Sequence, residues 1–301
     1  MNRLCSVLIL ITIVLMILGC QKNRPNAPVR IGIIKPSIDH LPLSLALDRG
    51  YLKPAKYELV YFTSGWEVQE AITAGRLDLA IMPFTYAWSA IGKGYKLKIS
   101  CCLERETDGV LTSVSIKDIK ELNNRKIGLL RASTLDILMQ DTAKIKDIIY
   151  TPVYFRTPAE MIAALKADEV AAIVCYVPLI QKMENDYHVI HWFSETYPFH
   201  PCCDLVITES IHTANPKLIN EITTGLVKAI SDIDNPTEET YNLVSYLYGL
   251  DKSQTDEALN HTRFAVCITE SDKIFEQHMM ESFLKSDYLK KMPEIKDVYL
   301  D

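Results

Sequence analysis

"RIGIIKPS", Arg30 to Ser37, returns 96 residues later as "KIGLLRAS", Lys126 to Ser133: a basic residue, Ile, Gly, two aliphatics, a basic residue, any residue and Ser. Neither aliphatic run alternates with polar residues, which is the pattern of a strand covered on both faces, as in a parallel sheet sandwiched by helices. A second pair of segments keeps nearly the same offset. "AITAGRLDLAIMPF" from Ala71 and "ALKADEVAAIVCYV" from Ala164 share their rhythm of apolar and polar positions 93 residues apart. Two βαβ units that resemble each other by chance are the alternative to a doubled unit.

Working outward, each copy carries its own helix signals. Leu41 to Asp48 reads as a helix with Pro42 in its first turn and Gly50 as its left-handed stop. Thr157-Pro158-Ala159-Glu160 supplies an N-cap, a proline at the first position and the glutamate of a capping box. That helix runs to about Ala167 and precedes a buried strand from Ala171 to Tyr176. Strands alternating with helices predict a doubly wound α/β architecture, and the doubling predicts two such lobes. From about Ala214 the chain reads as helical: Asn215-Pro216 opens one helix to about Ile230, Asn235-Pro236 another through Tyr248, and Ser271 to Leu284 forms a third. Ile219, Ile222, Leu226 and Ile230, and then Tyr241, Val244 and Tyr248, follow helical spacing and are expected in the core.

The N-terminus sets the compartment. Val7 to Leu18 is apolar apart from Thr12, too brief to span a bilayer comfortably, and it ends at Ile17-Leu18-Gly19-Cys20. This resembles the lipobox of bacterial lipoproteins, in which the cysteine is lipidated and becomes the mature N-terminus. Residues 1–19 are then a signal peptide that carries Cys5 away, Cys20 is the lipidation site, and residues 20–28, with Pro25 and Pro28, form a tether. An uncleaved anchor helix would place the same domain outside the membrane. The chain's 32 basic and 38 acidic side chains give a net charge of −6, or −7 once Arg3 leaves with the signal. That charge argues against a nucleic-acid surface.

The ordered segments resemble the periplasmic solute-binding proteins of ABC importers, type II fold, in the branch for aliphatic sulfonates, taurine, nitrate and the pyrimidine precursor of thiamine. "RIGIIKPSIDHLPLSLALDRGYL" is similar to that branch's opening strand, turn and first helix, and "EAITAGRLDLAIMPF" to its second helix and third strand. "IKELNNRKIGLLRASTLDILM", "TPAEMIAALKADEVAAIVCYVPLIQK" and "HPCCDLVITESIHTANPKLI" resemble the second lobe's start, its later helix and strand, and the return to the first lobe. The resemblance implies two α/β lobes joined by hinge crossings near Leu103 to Val114 and near Pro201 to Val206, closing on a ligand between them. Residues 29–106 and 203–301 would form the first lobe and 107–202 the second. Where the family often has a tryptophan and an acidic residue after the strand ending at Cys175, this chain has Tyr176-Val177-Pro178.

In open α/β sheets ligands sit beyond the carboxyl ends of the strands, beside helix N-termini. That rule selects Ser37, Asp39 and His40 after the first strand, Ser64, Gly65 and Trp66 after the second, and Phe84, Thr85 and Tyr86 after the third. In the other lobe it selects Arg131, Ser133, Thr134 and then Tyr176. Thr85, Ser133 and Thr134 would cap helices while offering hydroxyls, and Trp66, Tyr86 and Tyr176 would hold a flat body. Arg131 would pair with an oxyanion, or else with a nearby carboxylate. A small polar or anionic organic solute is expected.

Two adjacent pairs, Cys101-Cys102 and Cys202-Cys203, fall near the crossings. Neighbours on a strand point to opposite faces, so each pair sends only one sulfur to a common point, which disfavours a four-sulfur zinc site. A disulfide between one cysteine of each pair remains open. The favoured reading is buried apolar scaffold, for Cys175 and Cys267 as well.

No Gly-x-Ser-x-Gly elbow, His-Glu-x-x-His helix or phosphate-cradling loop occurs. The expected protein is therefore a non-catalytic, monomeric solute-binding lipoprotein of the cell envelope that serves an ABC permease and needs no cofactor or metal. An enzyme of small-heterocycle metabolism on the same scaffold, or a ligand-sensing lipoprotein, is the alternative.

Overall fold

The computed structural model describes residues 27–183, 186–285 and 288–300. The expected signal peptide, Cys20 and most of the tether lie outside the described residues. No helix among the described residues is long and apolar enough to cross a membrane.

The first repeat unit forms β1 (Val29–Ile34), a helix over Leu41–Asp48 and β2 (Tyr57–Phe62), paired parallel with β1 in the register Ile31 to Leu59. A helix over Gly65–Thr73 leads to β3 (Leu79–Pro83), whose five residues are all buried, and a helix over Phe84–Gly92 leads to β4 (Leu97–Arg105). The chain then crosses to a second sheet and lays down β5 (Asp108–Ser113) and β6 (Lys126–Leu130). Helices over Thr134–Ile145 and Pro158–Lys166 flank β7 (Thr151–Phe155), and β8 (Ala172–Tyr176) and β9 (Tyr187–Trp192) complete that sheet. After the second crossing, β10 (Pro201–Thr208) re-enters the first sheet.

The sheet orders are β11-β4-β10-β3-β1-β2 and β7-β6-β8-β5-β9, where β11 spans Arg263–Cys267. Each sheet is mixed. β1, β2 and β3 are parallel, as are β6, β7 and β8, but the strands beside the crossings run antiparallel: β10 to β3 and β4, β5 to β8 and β9. The two sheets thus share one plan, and the repeated glycine explains part of it. A Cβ on Gly32 would lie 2.4 Å from Leu77 Cδ1, and one on Gly128 would lie 3.0 Å from Ile173 Cγ2 and 3.1 Å from Met161 Cγ. In both units, helix and strand pack where only a hydrogen fits.

The local signals form as expected at several points. Gly50 adopts φ +70° after the Leu41–Asp48 helix. Thr157 Oγ1 accepts from Glu160 N while the Glu160 carboxylate accepts from Thr157 N, a reciprocal capping box. Three features differ. The second crossing runs between Trp192 and Pro201, ahead of the expected Pro201 to Val206, because β10 is already paired with β4 at Pro201. The C-terminal part contains helices over Leu218–Asp234, Glu238–Tyr248 and Glu270–Lys285, but also a polar helix over Lys252–Asn260 and the edge strand β11. On the Leu218–Asp234 helix the buried stripe is Leu218, Ile222, Leu226, Ala229 and Ile233, with Ile219 and Ile230 at its margin, and Tyr241 is half-buried beside buried Val244 and Tyr248.

The crossings are tied to each other. Phe199 N donates to Glu106 Oε1 at 2.6 Å, and Arg105 Nη1 donates to Phe199 O at 3.1 Å. Arg105 also grips Asp272 with two bonds of 2.5 and 2.8 Å, which joins the crossings to the Glu270–Lys285 helix.

Candidate functional site

The loops after β1, β2, β3, β6 and β8, together with the crossing strands, enclose a cavity of about 450 Å³. Hydrogen bonds draw its two sides together. Tyr86 OH donates to Arg131 O at 2.9 Å, Trp66 Nε1 to Arg156 O at 3.3 Å, Thr134 Oγ1 to Cys202 O at 3.3 Å and Ile38 N to Val177 O at 3.3 Å. Replacing Tyr86 with phenylalanine keeps the ring and deletes one such bond, worth about 1 kcal/mol. The expected result is a larger mean radius of gyration by small-angle X-ray scattering, as the population shifts toward open forms.

After β1, Ser37 and Asp39 line the cavity. Asp39 Oδ1 pairs with His40 Nδ1 at 3.0 Å, and the His40 ring packs edge-on against Tyr248, so His40 braces the turn from behind and is not part of the wall. After β2, Ser64, Gly65 and Trp66 all line the cavity. A Cβ on Gly65 would meet the Tyr86 ring at 2.6 Å, so this wall tolerates no side chain at that position. After β3, Pro83 and Tyr86 reach the cavity. Phe84 turns into the core against Phe275, and Thr85 is buried as the second residue of its helix, where it caps nothing.

After β6, Leu130, Arg131, Ala132 and Ser133 contribute. Ala132 takes φ +58°, an unusual conformation for a residue with a Cβ, and its N–H is held by Asp136 Oδ2 at 2.9 Å. Ser133 caps the following helix: its Oγ accepts from Asp136 N at 3.2 Å and donates to Leu130 O at 2.6 Å. Thr134 is that helix's first residue and does not cap it; its hydroxyl goes to Cys202 O and not to the cavity wall. Arg131 is exposed, and its guanidinium lies 5.7 and 5.3 Å from the centroids of the Tyr154 and Tyr288 rings. Tyr176 joins the wall after β8, and burial pushes its phenol well up.

Sequence reasoning missed the floor. Glu104, Thr107 and Asp108 come from the first crossing, Cys202 and Cys203 from the start of β10, and Phe155, Leu135, Ile34 and Arg156 complete the lining. Glu104 accepts a short bond from Thr107 Oγ1. Burial, reinforced by the neighbouring Asp108 charge, pushes the Glu104 carboxyl well above the usual carboxylate range. Asp108 Oδ2 has no hydrogen-bond partner; His200 Nε2, also unpartnered, stands 3.6 Å away.

The cysteines combine an expected and an unexpected feature. All six cysteines among the described residues are free thiols, so the two pairs form no disulfide. The alternation rule fails at the second pair. Register shifts where β10 meets β4, between Pro201 and Cys203 and again between Cys203 and Asp204, bring both sulfurs to the cavity, 3.9 Å apart. Cys202 and Cys203 are therefore wall as well as hinge scaffold. With Glu104 they place three ligand-type atoms within 4.8 Å of one another. The bond with Cys203 pulls the Cys202 thiol down, but burial and nearby carboxylates raise it well above a free thiol. Burial pushes Cys101 and Cys175 up to about 12. Cys267 is exposed, not buried as expected, because β11 is an edge strand. Brief iodoacetamide treatment at pH 8 followed by peptide mapping is expected to label Cys267 first, and labelling of Cys202 at the same rate would contradict the burial of that pair.

The fold, two mixed sheets flanked by helices and closing on a cavity, is that of the type II periplasmic binding proteins. The chain belongs to the NMT1-like family, whose model matches residues 22–246. Among solved structures it is similar to the periplasmic aliphatic sulphonate-binding protein SsuA of Escherichia coli, with TM-score 0.78 and 18% identity over 90% of this chain and 97% of that one. It is also similar to the nitrate-binding protein NrtA of Synechocystis PCC 6803, with TM-score 0.74 and 14% identity over 91% and 86%. A ligand-binding component of an ABC-type import system from Staphylococcus aureus, solved with zinc bound, matches with TM-score 0.77 and 17% identity over 90% and 96%. No curated protein matches in sequence.

Proposed function

We propose that this protein is an extracytoplasmic, non-catalytic solute-binding protein that captures a small polar or anionic organic molecule between two lobes and delivers it to an ABC permease. Residues 29–106 and 203–301 would make one lobe and 107–202 the other, with a lipid on Cys20 holding the monomer at the membrane. The observation that carries this reading is the cavity itself. Its walls come from strand ends in both sheets, and hydrogen bonds such as Tyr86 to Arg131 O cross it, so an occupant stabilises closure by touching both sides at once. Trp66, Tyr86, Phe155 and Tyr176 supply ring faces for an organic body.

The test is native mass spectrometry of the gently purified full chain in detergent micelles, followed by denaturation and identification of what is released. One equivalent of a small organic molecule is the expected result. An empty protein with no thermal shift across sulfonates, nitrate, amino acids and pyrimidines overturns the proposal.

A further inference from the structure

The floor of the cavity is acidic in a way that a binding site for an anion does not require. Asp39, Glu104 and Asp108 all line it, each no more than about 1% exposed. Asp39 Oδ2 and Asp108 Oδ2 are buried without a hydrogen-bond partner. Among the described residues, the guanidinium groups in the lining are those of Arg131 and Arg156, both exposed residues, and that of Arg131 lies 5.7 and 5.3 Å from the Tyr154 and Tyr288 ring centroids. The basic groups behind the floor are the imidazoles of His40, engaged by Asp39 Oδ1, and of His200, whose Nδ1 donates to Tyr197 O and whose Nε2 stands 3.6 Å from Asp108 Oδ2, beyond hydrogen-bond reach. A buried carboxylate oxygen with no donor is costly, and that cost is relieved by an incoming N–H or cationic centre. The rest of the lining mixes the hydroxyls of Ser37, Ser64, Thr107 and Ser133 and the Cys202-Cys203 pair with apolar Ile34, Pro83, Leu130 and Leu135 and the four rings. A cavity of about 450 Å³ is far larger than a lone metal ion needs, and falls in the range of small-molecule sites.

We propose that the cavity selects an organic cation, an ammonium, amidinium or protonated heterocycle, whose charged nitrogen sits against Asp39 and Asp108 while its flat body rests among Trp66, Tyr86, Phe155 and Tyr176. This rests on the solute-capture reading and replaces its anionic ligand with a cationic one. Selectivity comes from the one oxygen of each carboxylate, Asp39 Oδ2 and Asp108 Oδ2, left without a donor, because an anion of the same shape would meet like charge in a buried site.

The experiment is isothermal titration of the full chain in detergent micelles with three probes of one shape: benzamidine, benzamide and benzoate. Benzamidine is expected to bind at least about tenfold more tightly than benzamide, with benzoate weakest. Asp108→Asn is expected to erase that preference. Asp39→Asn serves as the second variant should Asp108→Asn lose its cooperative melt. Benzoate binding as tightly as benzamidine, or release of a sulfonate or carboxylate from the purified protein, overturns the cation assignment and leaves solute capture standing. Stoichiometric zinc by elemental analysis, blocked by Cys202→Ser but not by Asp39→Asn, replaces the organic cation with a metal. No probe binding and nothing released overturns both readings.

Discussion

Replacing Arg105 with methionine is expected to lower the unfolding free energy by about 3–5 kcal/mol, the usual cost of stranding one member of a buried ion pair. Arg105 is 8% exposed and Asp272 5%, and the guanidinium holds both carboxylate oxygens. Burial pushes the Asp272 carboxyl up, yet the bonds from Arg105 and Thr269 outweigh it and hold it below its ordinary value of 3.8. A depressed folded value means stability that is present above the unfolded value and lost as pH falls through the folded one. The loss caused by Arg105→Met should therefore be full at neutral pH and shrink as pH falls through the depressed folded value, below which Asp272 is protonated in both states. Urea denaturation at pH 7 and pH 4 checks both statements. The double replacement of Arg105 and Asp272 by methionine should be less destabilised than Arg105→Met alone; equal or greater loss would show that the methylene stem and the Phe199 contact matter more than the charge.

The second large effect lies behind the first sheet, at Glu276. Its Oε2 accepts from Trp88 Nε1 and from Tyr299 OH, both at 2.8 Å, and the residue is fully buried. Burial pushes this carboxyl up to about 8 from 4.5. Asp204, buried with neither oxygen partnered, is pushed well up by the same desolvation and by the Glu276 charge. For an acid with a raised folded value, the folded state binds more protons between the two values, so stability falls as pH climbs from about 4.5 toward 8. The expected loss over that window is a few kcal/mol, at about 1.4 kcal/mol for each pH step of one between the two values. Glu276→Gln keeps an acceptor for Trp88 and Tyr299 and removes the titration, so its urea midpoint should vary much less between pH 5 and pH 8. An unchanged slope in that variant would assign the pH dependence to Asp204 instead, which Asp204→Asn would then abolish.

The parts of the molecule legible from sequence are those governed by local pattern. The two Ile-Gly-aliphatic strands, the Thr157 capping box and the loops after β1, β2, β3, β6 and β8 follow from side-chain type and spacing. Within those loops, sequence does not tell a wall residue from a brace. His40 and Thr85 sit beside cavity residues yet face elsewhere, because that depends on the angle at which each loop enters its helix. Glu104, Thr107, Asp108 and the Cys202-Cys203 pair are out of reach for another reason. They reach the cavity through antiparallel pairings between strands far apart in the chain, Asp108 with Tyr176 and Glu104 with Cys203, and through a slipped register, neither of which leaves a mark in hydropathy. The helix over Lys252–Asn260 buries only Thr255 and Ala258, too little to show a stripe, and β11 has only five residues.

The placement of β10 also bears on the order in which the protein can be assembled. The second sheet is built from one continuous stretch, Asp108 to Trp192, so all of its strands have left the ribosome before the chain returns. The first sheet cannot be finished then. β10 lies between β3 and β4, and until Thr208 has emerged both of those strands offer open edges that no earlier segment fills. Nascent chains released before that point would thus carry a complete second half and a first half split down its centre, the species on which a chaperone would act.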